Sequence, residues 1–459
     1  MNCKKQVLNV LVHINPCAAT AVLTIAVAFA LIVALTESAP AQTGVVYNFT
    51  GQADGAYPTS GLTPAGEGTF YGTTCGQVCG SGTNSNGTVF RLSKQGSGWV
   101  LTTLYSFQGG SDGSAPISRV LLGPGGVLYG TTLTGGIDGG CNFYLSSTGC
   151  GTVYKLSPPN HVAPNAVGGR RESADTAWTE SVLYRFTGGA DGGNPFTGDL
   201  IFDQAGNLYG TTAIGGSNLA GVVYELTPTS GGWTEAVLYS FGVNGADANP
   251  LGGVIFDGSG NLYGSEFYGG GWGGLCGAVF QLTPSGSSWT ENILYGFQCS
   301  TDGANPIGGV TFDQNGNLYG TTSENTIYNW TGGTLFMLNG TSGWNFSLLW
   351  NFTGGGGAWS WPSGPWTSLT ATDGASGYKN FYGTASSDGN YPYYGSIFSW
   401  TYDYPWGYEY SALWNFGQVQ NDGAYPISSV AFNGNDGYAY VTTQSGGTNG
   451  LGTVFRASY

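Results

Sequence analysis

The sequence predicts an all-β fold, and three observations carry that prediction. Glycine supplies 83 of 459 residues, a load that disfavours helices because each glycine costs about 1 kcal/mol against alanine there. Strand-favouring aromatics (14 Trp, 29 Tyr and 23 Phe) run through the same chain, which argues against disorder and against a collagen-like repeat. A small set of phrases also recurs in fixed order. Each alternates apolar and polar positions between Gly, Asn, Asp or Pro, as short antiparallel strands joined by turns do.

The first element is a leader. Lys4 and Lys5 precede an apolar run from Ala18 to Leu35, and Ala39-Pro40-Ala41 then offers the small residues of a cleavage site. This predicts a signal peptide over residues 1–41, cleaved before Gln42, with an uncleaved anchor as the alternative. No other segment is apolar enough to span a bilayer, so residues 42–459 are expected to be free of the membrane once cleaved. The expected location is secreted or extracytoplasmic, in a periplasm or at a cell surface. The net charge of −15 repels phosphate backbones and argues against a nucleic-acid partner.

The repeat follows. One phrase occurs as GTFYGTT (68–74), GVLYGTT (126–132), GNLYGTT (206–212 and 316–322), GNLYGS (260–265), NFYGTA (380–385) and GYAYVTT (437–443). It is preceded by segments such as PLGGVIFD (250–257) and followed by segments such as GTVFRL (87–92), then by WTEAVLYSF (233–241) or its equivalent. We call these strands A (PxGGVxFD), B (LYGTT), C (GTVFxL) and D (WTExxLYSF). Units begin near residues 47, 105, 184, 239, 295, 350 and 414, so most are about 55 residues long. Four strands per unit and seven units predict a seven-bladed β-propeller of four-stranded antiparallel blades, one domain over 42–459. The chain starts on a D strand, GVVYNF (44–49), and finishes on a C strand, GTVFRASY. The N-terminal strand is therefore expected to complete the last blade and close the ring.

The combination of DGxNP, GNLYGTT, a glycine-rich stretch and GTVFxL, iterated from residue 44 to 459, resembles the GloVer tandem repeat. That family comprises secreted bacterial proteins with variable C-terminal anchors. The resemblance implies an extracytoplasmic propeller-like array and supplies no catalytic motif to transfer. This chain departs from the pattern in showing no apolar C-terminal tail. The A-B-C order is also faintly similar to NHL-type propeller repeats, whose role is mostly binding.

Residues that recur once per unit read as architecture, and function is sought where the repeat is broken. Asp54, Asp112, Asp191, Asp247, Asp302 and Asp422 precede strand A and read as Asx-turn residues; calcium would need six to eight oxygens in one place. Asp203, Asp257 and Asp313 of FDxxGN belong to the A-to-B turn. Trp99, Trp178, Trp233, Trp289 and Trp344 open strand D and are expected to pack between blades.

Cysteines break the repeat first. Six lie beyond the leader, and the repeat places Cys75 with Cys79 in one B-to-C loop, Cys141 with Cys150 in the next, and Cys276 near the D-to-A connection holding Cys299. These three disulfides are predicted, all on the face carrying the B-to-C and D-to-A loops. A zinc site is the alternative for the four local cysteines, with no histidine to assist.

Aromatics that the repeat does not require gather in the loops of that face: Phe267, Tyr268 and Trp272; Tyr328 and Trp330; Trp359, Trp361 and Trp366; Tyr391, Tyr393 and Tyr394. GGGGAWSWPSGPW (354–366) puts three tryptophans where other units carry DGxNP. One reading is a ligand surface for polysaccharide or glycan, whose C–H faces stack on rings; the other is packing among the loops themselves. The C-to-D loop YDYPWGYEY (402–410) adds aromatics on the opposite face.

Catalytic signals are sparse. His161, the one histidine after the leader, lies in the polar insertion 157–177 with Arg170 and Arg171. Asp199 stands where strand A meets the axis, with Arg119 in the matching register of the adjacent blade. The two read as an interblade ion pair or as an anion or sugar contact, and Asp199 is the candidate carboxylate for glycoside cleavage. No phosphate loop, haem motif or metal cluster is present, so no cofactor or metal is expected. The sequence reading is a binding or cell-surface interaction protein for polysaccharide or glycan. The alternatives are a carbohydrate-active enzyme, glycosidase or lyase, with its site at the channel, and a structural or adhesive protein.

Overall fold

The computed structural model describes residues 43–66, 68–81, 85–141, 149–159, 177–242, 248–270, 275–324, 332–352, 364–374, 378–387, 394–403, 407–434 and 436–459. Strand B forms the second strand of each blade, and its central glycine is required by a neighbour. A side chain on Gly210 would run into the Tyr224 ring from strand C and into Leu200, and the glycines at 72, 130, 264, 320 and 383 are covered by the corresponding aromatic in the same way. The motif YG is thus one half of a packing pair whose other half is the aromatic of GTVFxL.

Seven sheets result, each built in the order A-B-C-D. Blade 1 runs from Thr63–Pro64 to Gly98–Ser106, blade 2 from Leu121–Leu122 to Thr179–Arg185, and blade 3 from Ile201–Phe202 to Gly232–Ser240. Blade 4 runs from Ile255–Phe256 to Ser288–Gly296, blade 5 from Thr311–Phe312 to Asn345–Phe352, and blade 6 from Thr370–Asp373 to Gly407–Asn415. Blade 7 takes Ala431–Phe432, Tyr438–Thr443 and Thr453–Ser458 from the end of the chain. Its fourth strand is Gly44–Asn48, paired antiparallel with Thr453–Ser458. The expected ring closure is therefore present. Blade 4 departs from four strands by a short addition, Gly269–Gly270, parallel to the start of its strand C.

The core is divided as the architecture requires, into one apolar cluster at each of the seven blade junctions and an eighth on the axis. The Trp that opens strand D packs back on the Tyr of LYG in the preceding blade, as Trp178 does on Tyr71, Trp233 on Tyr129 and Trp344 on Tyr263. Hydroxyls stitch the junctions near the axis. Thr211 Oγ1 donates to the Gly252 carbonyl (2.9 Å), Ser265 Oγ to Gly308 (2.7 Å), Thr384 Oγ1 to Ser428 (2.8 Å) and Thr442 Oγ1 to Ser60 (2.7 Å). The repeated Asp of FDxxGN is satisfied inside its turn; Asp203 Oδ1 accepts from the Ala205 and Asn207 amides and its Oδ2 from the Asn207 side chain.

The disulfides Cys75–Cys79, Cys141–Cys150 and Cys276–Cys299 are all formed. Among the described residues no helix is long and apolar enough to cross a membrane, and no group of His, Cys, Asp or Glu is arranged to hold a metal ion.

Candidate functional site

Seven prolines start the approach of strand A to the axis, and the residue after each points inward. These residues are Thr59, Ile117, Phe196, Leu251, Ile307, Trp366 and Ile427; five of them form the buried axial cluster, with Ile427 packed against it. A second ring lies just before the next core residue, two residues further on in six blades and three in blade 3, where Gly198 is additional: Gly61, Arg119, Asp199, Gly253, Gly309, Ser368 and Ser429. Blades 4 and 5 need glycine here because a side chain on Gly253 would strike the Asp199 backbone and one on Gly309 would strike the Gly253 carbonyl.

Above the first ring, on the face of the B-to-C and D-to-A loops, lies a cavity of about 560 Å³. Phe196, Ile117, Trp366 and Ile427 line it from the axis. Gln77, Val78, Cys79, Gly80 and Ser81 wall it from blade 1, and Ser386, Ser387, Tyr425 and Gln444 from blades 6 and 7. The Cys75–Cys79 disulfide closes the turn Gly76–Val78, so it braces that wall. No described lining residue carries a formal charge; Gln77 and Gln444 are neutral amides that both donate and accept.

Tyr425 marks a break in the repeat. The residue before the proline adopts positive φ in blade after blade: Asn194 (53°), Asn249 (52°) and Asn305 (56°), but also Tyr57 (57°), Ala115 (56°) and Tyr425 (55°). Asparagine tolerates this conformation, and its amide is used there, since Asn249 Nδ2 donates to the Ala213 carbonyl at 2.6 Å. A tyrosine gains nothing from that backbone and is strained by it. Tyr425 stays 39% exposed at the cavity rim, edge-on to Tyr394 at 6.0 Å. Tyr57 donates through its hydroxyl to the Ser81 carbonyl and holds the blade 1 wall.

Beneath the first ring is a smaller polar chamber of about 40 Å³. Arg119 Nη2 lies 2.9 Å from Asp199 Oδ2, and the Arg119 amide donates to Asp199 Oδ1 at 3.0 Å, so the expected interblade ion pair is made. Ser60, Gly61, Thr367, Ser368 and Ser429 surround it, and Thr59, Ile117 and Thr197 separate it from the upper cavity by lining both.

Of the sequence candidates, the structure brings Trp366, Arg119 and Asp199 to the axis. Trp366 is only 7% exposed, so it belongs to the cavity floor and not to an open loop surface; Phe267 is likewise buried, at 4%. Trp272, Trp330, Trp359, Trp361, Tyr391 and Tyr393 lie outside the described residues, as do residues 1–41, Asp247, His161, Arg170, Arg171 and Tyr328. Thr59, Gln77, Phe196, Tyr425 and Gln444 were not singled out from the sequence, although a tyrosine in DGAYP where other units have DGxNP was a legible signal.

Ionisable groups of a second kind sit at the junctions of blades 1 to 5, away from the cavity. Burial, and then the nearby Asp112, push the Glu180 carboxyl up to about 7; burial and then Asp191 do the same for Glu235, and burial alone for Glu324. Glu266, 3% exposed at the end of strand B in blade 4, is held well above the usual carboxyl range by burial and then by its hydrogen bond to Glu291. Glu291 in turn accepts from the Tyr239 hydroxyl at 2.9 Å.

The fold and site define a seven-bladed propeller with an axial pocket. The chain belongs to the Gloeobacter/Verrucomicrobia repeat family, whose sequence model matches residues 146–376. No curated protein matches it. Among solved structures it is similar to a protein from Lactobacillus plantarum (10% identity, 82% of this chain and 89% of that one, TM-score 0.45). It is also similar to Trypanosoma rangeli sialidase in complex with sialic acid (10% identity, 88% of this chain and 54% of that one, TM-score 0.37). Neither likeness is close enough to carry a residue's role across.

Proposed function

We propose that this protein is a secreted binding protein that recognises polysaccharide or glycan at the axial mouth of the propeller. The observation that carries this reading is the lining of the cavity of about 560 Å³, a size suited to a small ligand. Trp366, Phe196 and Tyr425 offer ring faces, while Gln77, Gln444, Ser386, Ser387 and Thr197 offer neutral donors and acceptors. Sugars present C–H faces and hydroxyls together, and an uncharged lining does not favour phosphates or ionic substrates. Tyr425 supports the reading by its exposure, because a ring 39% exposed at the cavity rim stands where blades 3 to 5 carry asparagine. The loop tryptophans Trp272, Trp330, Trp359 and Trp361, with Tyr391 and Tyr393, belong by sequence to the loops of the same face and extend the proposed surface for a polymer.

Secretion fits three disulfides and the apolar leader. Asp199 is the one carboxylate among the described lining residues of either axial space, and Arg119 engages it, so retention of a ligand is favoured over its hydrolysis.

The test is a panel of soluble polysaccharides and oligosaccharides against protein exported from the full-length gene through an oxidising secretory route. Binding is read by intrinsic tryptophan fluorescence, with reducing ends assayed in the same wells. Saturable binding without turnover, lost in Trp366→Ala, is the expected result. Turnover would replace the binding reading with an enzymatic one, and silence across the panel would leave a structural or adhesive role. N-terminal sequencing of the same protein checks cleavage before Gln42.

A further inference from the structure

We infer that the polar chamber beneath the axial cavity is a subsite for the exocyclic hydroxymethyl group of a neutral hexose, and that it sets specificity against pentoses and uronates. The inference rests on the glycan reading above and narrows it to a sugar class.

The first argument is adjacency. Thr59, Ile117 and Thr197 line both the upper cavity and the chamber, so the two spaces share one wall. The second is size. About 40 Å³ has room for about three water-sized atoms, which excludes a pyranose ring and admits a one-carbon substituent with its oxygen.

The third argument is chemistry. Thr59 is 6% exposed, and its Oγ1, like Thr367 Oγ1 in the same lining, makes no hydrogen bond among the described residues. Comparable hydroxyls close by are satisfied across blade junctions; Thr197 Oγ1 donates to the Leu251 carbonyl at 3.0 Å and Thr370 Oγ1 to the Val430 carbonyl at 2.6 Å. Buried hydroxyls without partners are costly, and a ligand hydroxyl that bonds to either one relieves that cost.

The ion pair fits the same group. The five other members of the second ring are Gly or Ser, so Arg119 and Asp199 are its only charged side chains, and they neutralise each other at 2.9 Å. A hydroxyl can donate to Asp199 and accept from Arg119 without disturbing that balance. A uronate carboxylate would bring a second negative charge against Asp199 in a confined space. A pentopyranose carries no group to enter the chamber.

The experiment is calorimetric titration of the full secreted protein with gluco-, manno- and galacto-hexaose, xylohexaose, and an oligogalacturonate of six residues. At least one neutral hexose oligomer is expected to bind on the order of tenfold or more tighter than xylohexaose and the oligouronate. In Thr367→Val and Asp199→Asn, residues that line the chamber and not the upper cavity, with folding checked by circular dichroism, the hexose advantage shrinks while xylohexaose affinity is unchanged. Equal affinity for hexose and xylose oligomers in the unmodified protein, or tighter uronate binding, overturns this inference and leaves the glycan reading standing. No binding by any sugar overturns both.

Discussion

The Tyr105 hydroxyl donates to Asp112 Oδ1 at 2.8 Å, tying the last strand of blade 1 to the turn that leads into blade 2. The same bond joins Tyr47 to Asp54, Tyr184 to Asp191 and Tyr295 to Asp302 at 3.0 Å, and Trp414 Nε1 takes the role toward Asp422 at 3.2 Å. Each Asp also accepts the amide that starts its turn, as Asp191 does from Thr187 at 2.9 Å. The LYSF tyrosine and the DGxNP aspartate are therefore one device that fixes how successive blades are joined.

Removing the tyrosine hydroxyl should weaken that joint without making a cavity. A hydrogen bond to a carboxylate contributes about 1.5–3 kcal/mol where buried, and partial exposure reduces this to about 1 kcal/mol here. Tyr184→Phe and Tyr295→Phe are each expected to lower the urea midpoint by a corresponding amount, and to add in the double variant because the sites share no partner. A midpoint unchanged in the double variant would show that the bond contributes nothing net.

The junction carboxyls predict an unusual pH dependence. Glu180, Glu235 and Glu324 are raised to about 7, and Glu266 is likewise held well above the usual carboxyl range by burial and then by Glu291. A carboxyl whose folded pKa exceeds its unfolded value holds more protons when folded, so stability from these groups is full below the unfolded pKa of 4.5 and is lost as pH rises through about 7. The turn aspartates Asp203 and Asp257, lowered from 3.8 by the amides and side chains that donate to them against the opposing effect of burial, act the other way only in stronger acid. The urea midpoint is expected to fall from pH 5 to pH 8. Glu180→Gln with Glu235→Gln should flatten that slope, leaving stability near the parent's at pH 5 and above it at pH 8. A midpoint that rises over this interval would refute the assignment.

Strand order, ring closure and all three disulfides were legible because each depends on spacing, which a repeat displays directly. Trp366 shows where that legibility ends. Its sequence neighbourhood, WSWPSGPW, reads as an exposed aromatic loop, yet Pro365 places it in register with Ile117 and Ile307 on the axis, where it is buried. The axial cavity was hidden for the same reason, since Gln77, Tyr425 and Gln444 come from blades 1 and 7, at opposite ends of the chain, and only ring closure brings them together. Arg119 and Asp199 were the exception, because both occupy one ring position in adjacent blades and differ in charge.

Tyr425 offers a test that separates stability from binding. Tyr425→Asn restores the residue that blades 3 to 5 use at this positive φ, so stability should hold or rise by up to about 1 kcal/mol. Ligand affinity should fall, because the exposed ring at the cavity rim is lost. A variant that is both less stable and unimpaired in binding would mean that Tyr425 is a packing residue held by Tyr394 and no part of the site.

The disulfides should divide their work in the opposite sense to their loop lengths. By the loop-entropy argument, Cys75–Cys79, separated by four residues, stabilises by about 2 kcal/mol, and Cys276–Cys299, separated by 23, by about 3 kcal/mol. The short bridge, however, shapes the Gly76–Val78 turn, and Gln77, Val78 and Cys79 line the cavity directly. Cys75→Ala with Cys79→Ala is therefore expected to cost less stability than Cys276→Ala with Cys299→Ala while reducing ligand affinity more. The long bridge joins the C strand of blade 4 to the connection into blade 5, and neither of its cysteines lines the cavity. Equal losses of affinity in the two double variants would show that the blade 1 wall keeps its shape without its disulfide, and would remove Gln77 from the proposed site.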